Sequence, residues 1–184
     1  MILIFIGPPY SGKDTQAKIV ARELGISIFS MGSLIREAYK QGDPKAAEGF
    51  EKYSMKGLHV PISLKFALLR KKIEAEKDGF ILDNFPATQE DLDTFTEYIK
   101  EKGLAVDKVF LLTISEEEMM RRRVERGRLD DGVEILKKRR EEQDKDRVPV
   151  VEYFRNMGIL KEINTEKQTV DQTREEIMKE LKNP

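Results

Sequence analysis

A glycine-bounded loop near the start of the chain has the residue types and spacing of a phosphate cradle. It follows the apolar run Ile2–Ile6 and reads Gly-Pro-Pro-Tyr-Ser-Gly-Lys-Asp-Thr from Gly7 to Thr15, which fits the spacing G-x-x-x-x-G-K. In such a loop, backbone N–H groups and the positive end of the following helix point at one spot, where a polyphosphate can bind. Lys13 adds a positive charge, and Asp14 stands where the generic pattern has Ser or Thr. We therefore expect Thr15 to supply the hydroxyl on the magnesium side.

The whole loop and the start of the helix after it are predicted to bind phosphates. The residues concerned are Gly7, Pro8, Pro9, Tyr10, Ser11, Gly12, Lys13, Asp14 and Thr15. The alternative is a glycine-rich turn between a strand and a helix that binds no ligand. The apolar run before the loop and the position of Lys13 favour the cradle.

Composition narrows the class of protein. At 184 residues the chain can form one substantial core, so we expect a single folding unit with a small insertion. Charged residues make up 36% of the chain but leave a formal net charge of -1, so nucleic acid and anionic membranes are not favoured as partners. The lack of cysteine excludes disulfides, thiolate zinc sites and a cysteine nucleophile. With no membrane-length segment and no basic leader, we expect a cytoplasmic protein. We also expect a monomer.

Short apolar runs alternate with longer amphipathic stretches, which predicts an α/β fold. The runs lie at 2–6, 26–29, 80–82, 109–114 and 159–163 and are interpreted as five buried parallel strands. The first helix should bury Ala17, Val20, Ala21 and Leu24 and end at Gly25. Alternation of this kind indicates a doubly wound sheet, which binds ligands beyond the carboxyl ends of its strands.

Residues 31–73 are too many for a single crossover and contain several breaks. These are Gly42-Asp43-Pro44, Gly57 and Pro61. We therefore predict a small helical insertion at about 31–73 within a core formed by 1–30 and 74–184.

Two other features have ordinary structural interpretations. The charged run 139–147 is interpreted as the solvated face of a helix, apart from Arg139. His59 is not accompanied by the further residues that a catalytic or metal site would need.

Four ordered segments resemble the adenylate kinases and related nucleoside monophosphate kinases over nearly the whole chain. The loop at 7–16 is similar to G-x-P-G-x-G-K-G-T-Q, and SMGSLIR at 30–36 resembles S-T-G-D-x-L-R. LDNFP at 82–86 is similar to L-D-G-F-P-R, and GRLDDGVEILKKR at 127–139 resembles G-R-x-D-D-x-x-E-x-x-x-x-R. Four motifs in order are far more specific than one loop. The resemblance implies a P-loop NTPase fold in which the helical insertion binds the nucleoside monophosphate.

The resemblance also implies a reaction: transfer of the terminal phosphoryl group of ATP, with Mg²⁺, to a nucleoside monophosphate, AMP by default. Such a transfer depends on alignment and charge neutralisation, so a ring of cations is expected. By the family pattern, Lys13 and Arg126 contact the donor phosphates. Arg128 and Arg139 hold the transferring group, and Arg36 holds the acceptor phosphate.

Three further roles follow from the resemblance. Arg122, one helical turn before Arg126, is expected to lie against the donor base. Asp83, at the end of a predicted strand, is expected to organise water around magnesium, with Thr15 on the metal side. The structural alternatives are an arginine paired at the surface for Arg122 and an ordinary N-cap for Asp130-Asp131.

The chain departs from the family pattern in the lid and in the cradle. Only Gly127 separates Arg126 from Arg128, so the lid is reduced to a short turn at about 126–128. Tyr10 and Asp14 occupy glycine positions of the cradle. A side chain there could strain the loop or change its charge.

The acceptor site departs further. Met31 stands for Thr, Asn84 for Gly, Ala87 for the Arg after Phe-Pro, and Asp91 for a base-reading Gln, so that Arg36 alone is retained. A carboxylate at 91 accepts hydrogen bonds but cannot donate them. The arginine missing at Ala87 should weaken acceptor binding unless a nearby cation compensates. We expect weak use of AMP and blunted discrimination among bases.

Two rival functions remain open on the sequence. One is a P-loop kinase or slow NTPase with another acceptor. The other is a nucleotide-binding regulatory or assembly module whose transfer activity has decayed. Stimulation of turnover by AMP separates the first from an adenylate kinase, and tight ATP binding without turnover would favour the second.

Overall fold

The five apolar runs form one parallel sheet with its first strand at the centre. The structure, a computed structural model, describes residues 1–56, 58–125 and 133–182, except for the side chains at 135, 138 and 139. The strands are β1 (Ile2–Ile6), β2 (Ser27–Ser30), β3 (Phe80–Asp83), β4 (Lys108–Thr113) and β5 (Leu160–Asn164). Their order is β2-β3-β1-β4-β5, and neighbours run parallel. The predicted sheet is confirmed to within one residue at each strand end.

Helices occupy the stretches between the strands. They are α1 (Lys13–Leu24), α2 (Met31–Lys40), α3 (Pro44–Lys52), α4 (Ile62–Ile73), α5 (Gln89–Glu101), α6 (Glu116–Glu125), α7 (Val133–Asn156) and α8 (Val170–Lys182), with a 3₁₀ turn at Ser54–Lys56. As predicted, α1 buries Ala17, Val20 and Ala21 and stops at Gly25, whose φ of 67° is left-handed. Among the described residues no helix has both the length and the apolarity needed to cross a bilayer.

The side chains of β1 alternate between two hydrophobic cores on opposite faces of the sheet. Ile4 lies in the core that includes Phe95 of α5 and residues of α4 and α7. Its neighbour Phe5 lies in the core formed with Val20 of α1 and Ile177 of α8. Because helices cover both faces, every residue of β1 is buried, which explains its unbroken apolar run.

The span predicted as the insertion contains α2, α3, the 3₁₀ turn and α4, and these helices pack on one another. The break before α3 has a local cause, because Asp43 caps the helix by accepting a hydrogen bond of 2.8 Å from the Ala46 amide. Pro44 follows at the first helical position, where it is compatible with the backbone. The rings of Tyr39 and Phe50 join α2 to α3, with centroids 4.8 Å apart. The division into core and insertion stays a prediction.

Strand register brings the ends of three strands together at the carboxyl edge of the sheet. Asp83 at the end of β3 is paired with Phe5 of β1 on one side and with Ser30 of β2 on the other. The glycine-bounded loop after β1, Asn84 after β3 and Met31 at the start of α2 therefore meet at this edge. This is where a doubly wound sheet places its ligands.

Candidate active site

The loop after β1 has the backbone of a phosphate cradle. Gly12 directly precedes α1 with a φ of 90°, a conformation that favours glycine. Position 7 has no room for a side chain, since a Cβ atom on Gly7 would collide with the carbonyl oxygen of Leu112. The Ser11 amide donates to the Pro8 carbonyl oxygen at 3.3 Å, which tightens the turn. Lys13 therefore lies at the first position of α1, at the positive end of the helix dipole.

Tyr10 occupies the cradle in a left-handed conformation, with a φ of 62°. A non-glycine residue there is strained by about 1 to 2 kcal/mol. Its side chain is partly buried against a small cluster of Ile114, Met119 and Leu136. Packing of the ring offsets part of the strain, so the loop tolerates a tyrosine at the family's glycine position.

Arg122 and Thr165 brace the cradle from the side of α6 and the loop after β5. The Arg122 guanidinium donates to the Tyr10 carbonyl oxygen at 3.2 Å and to the Thr165 carbonyl oxygen at 2.5 Å, and it pairs with Glu118 at 2.7 Å. The Thr165 hydroxyl donates to the Ser11 carbonyl oxygen at 2.9 Å. Sequence reasoning assigned Arg122 to the donor base and missed Thr165, because a contact between distant loops has no spacing that marks it.

An open cleft of about 280 Å³ runs beside the cradle. Its walls include Ser11, Gly12, Thr15, Arg122, Thr165 and Thr169. The cleft therefore joins the start of α1 to the loop before α8. Arg122 lies at its wall, where an aromatic base could stack on the guanidinium plane.

The charge of Lys13 acts on two carboxylates, those of Asp14 and Asp83. Its ammonium contacts Asp14 Oδ1 at 2.8 Å, and the Lys13 side chain is 14% exposed. Burial acts to raise the pKa of Asp14, but the charge of Lys13 and its hydrogen bond outweigh burial and leave the pKa below its ordinary value. Burial raises the pKa of Asp83 to about 6, although the charge of Lys13 opposes this. Oδ1 of Asp83 receives no hydrogen bond from the described residues.

The residues predicted for the acceptor gather at the ends of β2 and β3. Met31 is buried in the main core, and Asn84 has a left-handed φ of 57° with its amide donating to the Phe5 carbonyl oxygen at 2.8 Å. Asn tolerates this conformation better than most residues. Arg36 is exposed and donates to the Ser33 hydroxyl at 3.2 Å. Its guanidinium lies close over Gly32, where a Cβ would be 3.1 Å away.

Comparison with known proteins assigns the family. The family model for adenylate kinase matches residues 5–159. The adenylate kinase of Leptospira biflexa is 35% identical over 168 residues, which cover 88% of this chain and 90% of that protein. Adenylate kinase 1 of a Nostoc species is 34% identical over 182 residues, with 98% and 96% covered. The adenylate kinase of Corynebacterium urealyticum is 33% identical over 156 residues, with 84% and 86% covered.

The chain belongs to the adenylate kinase family. The resemblance of the four motifs is thereby confirmed, as are the P-loop NTPase fold and an enzyme of the nucleoside monophosphate kinase class. The departures from the motifs at the predicted acceptor residues stay as the sequence has them.

One of those departures, Asp91, is paired with a residue of another helix. Asp91, in the first turn of α5, was expected to face the acceptor as a lone carboxylate. Instead its side chain is 1% exposed and contacts the ammonium of Lys65 on α4 at 2.7 Å. It also accepts a hydrogen bond of 3.1 Å from the Ala87 amide. A nearby cation thus stands beside the position that lost its arginine.

The predicted lid residues Arg126 and Arg128 lie outside the described residues, as does the reduced lid at about 126–128. The side chain of Arg139 is also outside them.

The charged run 139–147 is not simply the solvated face of a helix, so that interpretation is wrong in part. Arg147 is 7% exposed and pairs with Asp144 at 2.5 Å, and Arg140 donates to the Ile114 carbonyl oxygen at 2.8 Å.

Proposed function

We propose that this adenylate kinase family member transfers the terminal phosphoryl group of ATP to AMP and forms two molecules of ADP. A phosphate oxygen of AMP attacks the γ-phosphorus, and the bond from that phosphorus to the β-phosphate oxygen breaks. The observation that carries the proposal is the meeting of Lys13, Asp83 and the start of α2 at one edge of the sheet. A donor on the cradle and an acceptor at α2 would face each other there.

The donor side of the proposal rests on the cradle. Backbone amides of residues 7–15 and the Lys13 ammonium would hold the β- and γ-phosphates. The Thr15 hydroxyl and Asp83, through water, would hold Mg²⁺. The buried Oδ1 of Asp83, to which no described residue donates, fits a cation shell because Mg²⁺ keeps several waters and takes few carboxylates. When bound, Mg²⁺ neutralises charge on the donor phosphates.

The acceptor side rests on residues of α2 and of the loop after β3. Arg36 would hold the AMP phosphate, with Met31, Asn84, Ala87 and Asp91 around the nucleoside. Arg126 would contact the donor phosphates, and Arg128 and Arg139 would hold the group in transfer, as the family motif suggests. Arg122 would stack on the donor base while it braces the cradle.

The proposal extends to domain behaviour. With a lid of one short turn at 126–128, exclusion of water from the site would depend mainly on movement of the insertion at 31–73.

We also propose that the enzyme acts as a monomer in the cytoplasm. Sedimentation velocity at micromolar concentration, with and without nucleotide, is the check on the oligomeric state.

A coupled assay for ADP, run with AMP, CMP, UMP, GMP, dTMP and no acceptor, tests the function. We expect AMP to give the fastest turnover and Lys13→Ala to abolish most of it, because charge-assisted contacts to developing charge are lost. Lys71→Ala, which removes an exposed lysine at the end of α4, is the matched control and should leave turnover unchanged. Faster turnover with another acceptor, or tight ATP binding without turnover, would replace the proposal by one of the rival functions.

A further inference from the structure

A cavity of about 310 Å³ lies between α7 and the carboxyl end of β4. Thr113 lines it on the side of the sheet, and Pro8 lines it where the cradle begins. On the α7 side, Arg140, Asp144 and Arg147 follow one another at helical spacing along its wall. Among the described residues it shares no wall with the cleft beside the cradle, so it is a separate space.

Arg147 is the most buried charge on this wall, and its partner has to serve two guanidinium groups. Its side chain is 8% exposed, and Nη1 donates to Oδ1 of Asp144 at 2.5 Å. Oδ2 of the same carboxylate accepts from Arg140 at 3.2 Å, and Asp144 is itself 42% exposed. A charge as buried as that of Arg147 is expensive unless anions and hydrogen-bond acceptors replace its water.

Most of the donors of Arg147 are unused and can be reached. A guanidinium has five N–H donors, and the hydrogen bonds of the described residues use one of them, on Asp144. Neither Nε nor Nη2 of Arg147 is among the fully enclosed polar atoms that lack a partner in the described part of the chain. Both nitrogens therefore keep access to solvent, and Arg147 lines the cavity.

The charge on the cavity wall is positive on balance. Among the described residues, the arginines Arg140, Arg147 and Arg155 line it together with two carboxylates, Asp144 and Glu152. Burial lowers the pKa of Arg147 below its ordinary value, although the charge and the hydrogen bond of Asp144 oppose this, and the charge of Arg140 adds to the lowering. The guanidinium is thus incompletely neutralised, so a further anion beside it would be stabilised.

The other walls of the cavity are apolar. Leu111 and Ile114 contribute from the side of β4, and Val148 and Val151 contribute from α7. Apolar walls with a few convergent polar groups are typical of sites for small molecules. The planar fork of a guanidinium matches the oxygens of a phosphate group. The walls therefore complement a molecule that carries a phosphate on a compact apolar group.

We propose that this cavity binds a small phosphate monoester apart from the two nucleotides, with the phosphate on Arg147 and the apolar group against Val148 and Val151. Arg140 contributes charge from a fixed position, because its guanidinium also donates to the Ile114 carbonyl oxygen at 2.8 Å. Pro8 is the one described wall residue that was also predicted to bind nucleotide. The ligand would lie between α7 and the beginning of the cradle, at the end of β4.

Phenyl phosphate and inorganic phosphate are the probes. Each is titrated by calorimetry, at constant ionic strength, into the full chain saturated with Mg²⁺, a nonhydrolysable ATP analogue and AMP, so that the phosphate sites of the proposed function are occupied. We expect phenyl phosphate to bind about tenfold more tightly than inorganic phosphate, because its ring is buried against the apolar walls. Equal affinity of the two probes would overturn the ester as the ligand, and binding of neither would overturn the site.

Two substitutions on the wall should change the affinity in opposite directions. We expect Arg147→Met to weaken phenyl phosphate by about tenfold or more, the effect of losing charge-assisted hydrogen bonds. Asp144→Asn should strengthen it roughly threefold, because a negative charge that competes for Arg147 is removed. Arg70→Met is the matched control and should leave the affinity unchanged, since Arg70 is exposed and pairs at 3.0 Å with Glu74, one turn along α4.

The outcomes separate the inference from the proposed function. Unchanged affinity in Arg147→Met, or an equal loss in Arg70→Met, would overturn binding at this cavity. If Arg147→Met does not fold, Asp144→Asn decides, because tighter binding supports the site and unchanged or weaker binding overturns it. Failure of the ATP analogue or of AMP to bind would contradict the proposed function alone, since dependence on Arg147 and Asp144 would still locate the phosphate ester.

Discussion

Thr165 is hydrogen-bonded to Ser11 across 154 residues of sequence, with its hydroxyl 2.9 Å from the Ser11 carbonyl oxygen. Thr165 is 3% exposed, and its carbonyl oxygen also accepts from Arg122. The loop after β5 is therefore joined directly to the phosphate cradle. Because the C=O of one residue and the N–H of the next share a peptide plane, the direction in which the carbonyls of the loop are held also sets the direction of its amides.

Replacing Thr165 by Val should loosen the cradle without changing side-chain volume. The Ser11 carbonyl oxygen would lose its donor, and we expect a loss of about 1 to 3 kcal/mol in the free energy of unfolding together with a raised KM for ATP. Urea unfolding and initial rates measure the two effects. Thr165→Ser keeps the hydroxyl and should stay near the original values, and a Val variant with unaltered KM would show that the brace does not aim the cradle.

Replacing Asp14 by Asn should strengthen ATP binding. The substitution frees the Lys13 ammonium from a carboxylate 2.8 Å away and removes a negative charge beside the predicted phosphate site. Since Asp14 is 64% exposed, the gain should be modest, about 0.2 to 1 kcal/mol, or up to roughly fivefold in Kd. Calorimetric titration at 50 mM and 500 mM salt is the measurement, and the gain should shrink at high salt. Glu51→Gln, an exposed site on α3, is the neutralisation control.

Glu118 should make the stability of the protein depend on pH at the acid end. Hydrogen bonds from Arg121 and Arg122 lower the pKa of Glu118 from 4.5 to about 2. Because the pKa is lower in the folded state, the contribution of Glu118 is complete above about pH 5 and is lost as the pH falls towards 2. The free energy of unfolding of Glu118→Gln should therefore fall less steeply than that of the original protein between pH 5 and 2. Parallel slopes for the two proteins would contradict the assignment.

Lys65 and Asp91 should show strong coupling in stability. Asp91→Leu leaves a buried ammonium unpaired and Lys65→Met leaves a buried carboxylate, and each is expected to lower the free energy of unfolding by about 3 to 5 kcal/mol. The double variant should recover most of that loss because it removes both charges. A double-mutant cycle by urea unfolding measures the coupling, and additive losses would mean that the two side chains act independently. Asp91→Gln alone is expected to behave like the destabilised single variants.

The sheet and the cradle could be predicted because local residues determine them. Five apolar runs predicted the five strands, and glycine spacing predicted the loop in which Gly12 adopts its left-handed conformation. Helix α1 ends at Gly25 and helix α3 begins after Asp43, as short-range capping rules predict. Each of these features depends on residues within a few positions of one another.

The contacts between elements distant in sequence could not be predicted in this way. Lys65 and Asp91 lie 26 residues apart on different helices, and their pairing depends on how α4 packs against α5. One signal was available, because Lys65 falls at the spacing of the apolar residues Ile62, Leu69 and Ile73. Charged residues on a buried helical face seldom lack a partner. No comparable signal marked Thr165, whose hydroxyl acts on a loop at the other end of the chain.

The burial of β1 on both faces has a consequence for hydrogen exchange. Its alternate side chains anchor two separate cores, and its backbone pairs with β3 and β4. An opening that exposed the amides of β1 would have to separate both helical layers and both neighbouring strands, which amounts to global unfolding. Those amides should be among the last to exchange with deuterium. The cradle is thus attached to the segment of the chain that local fluctuations reach least.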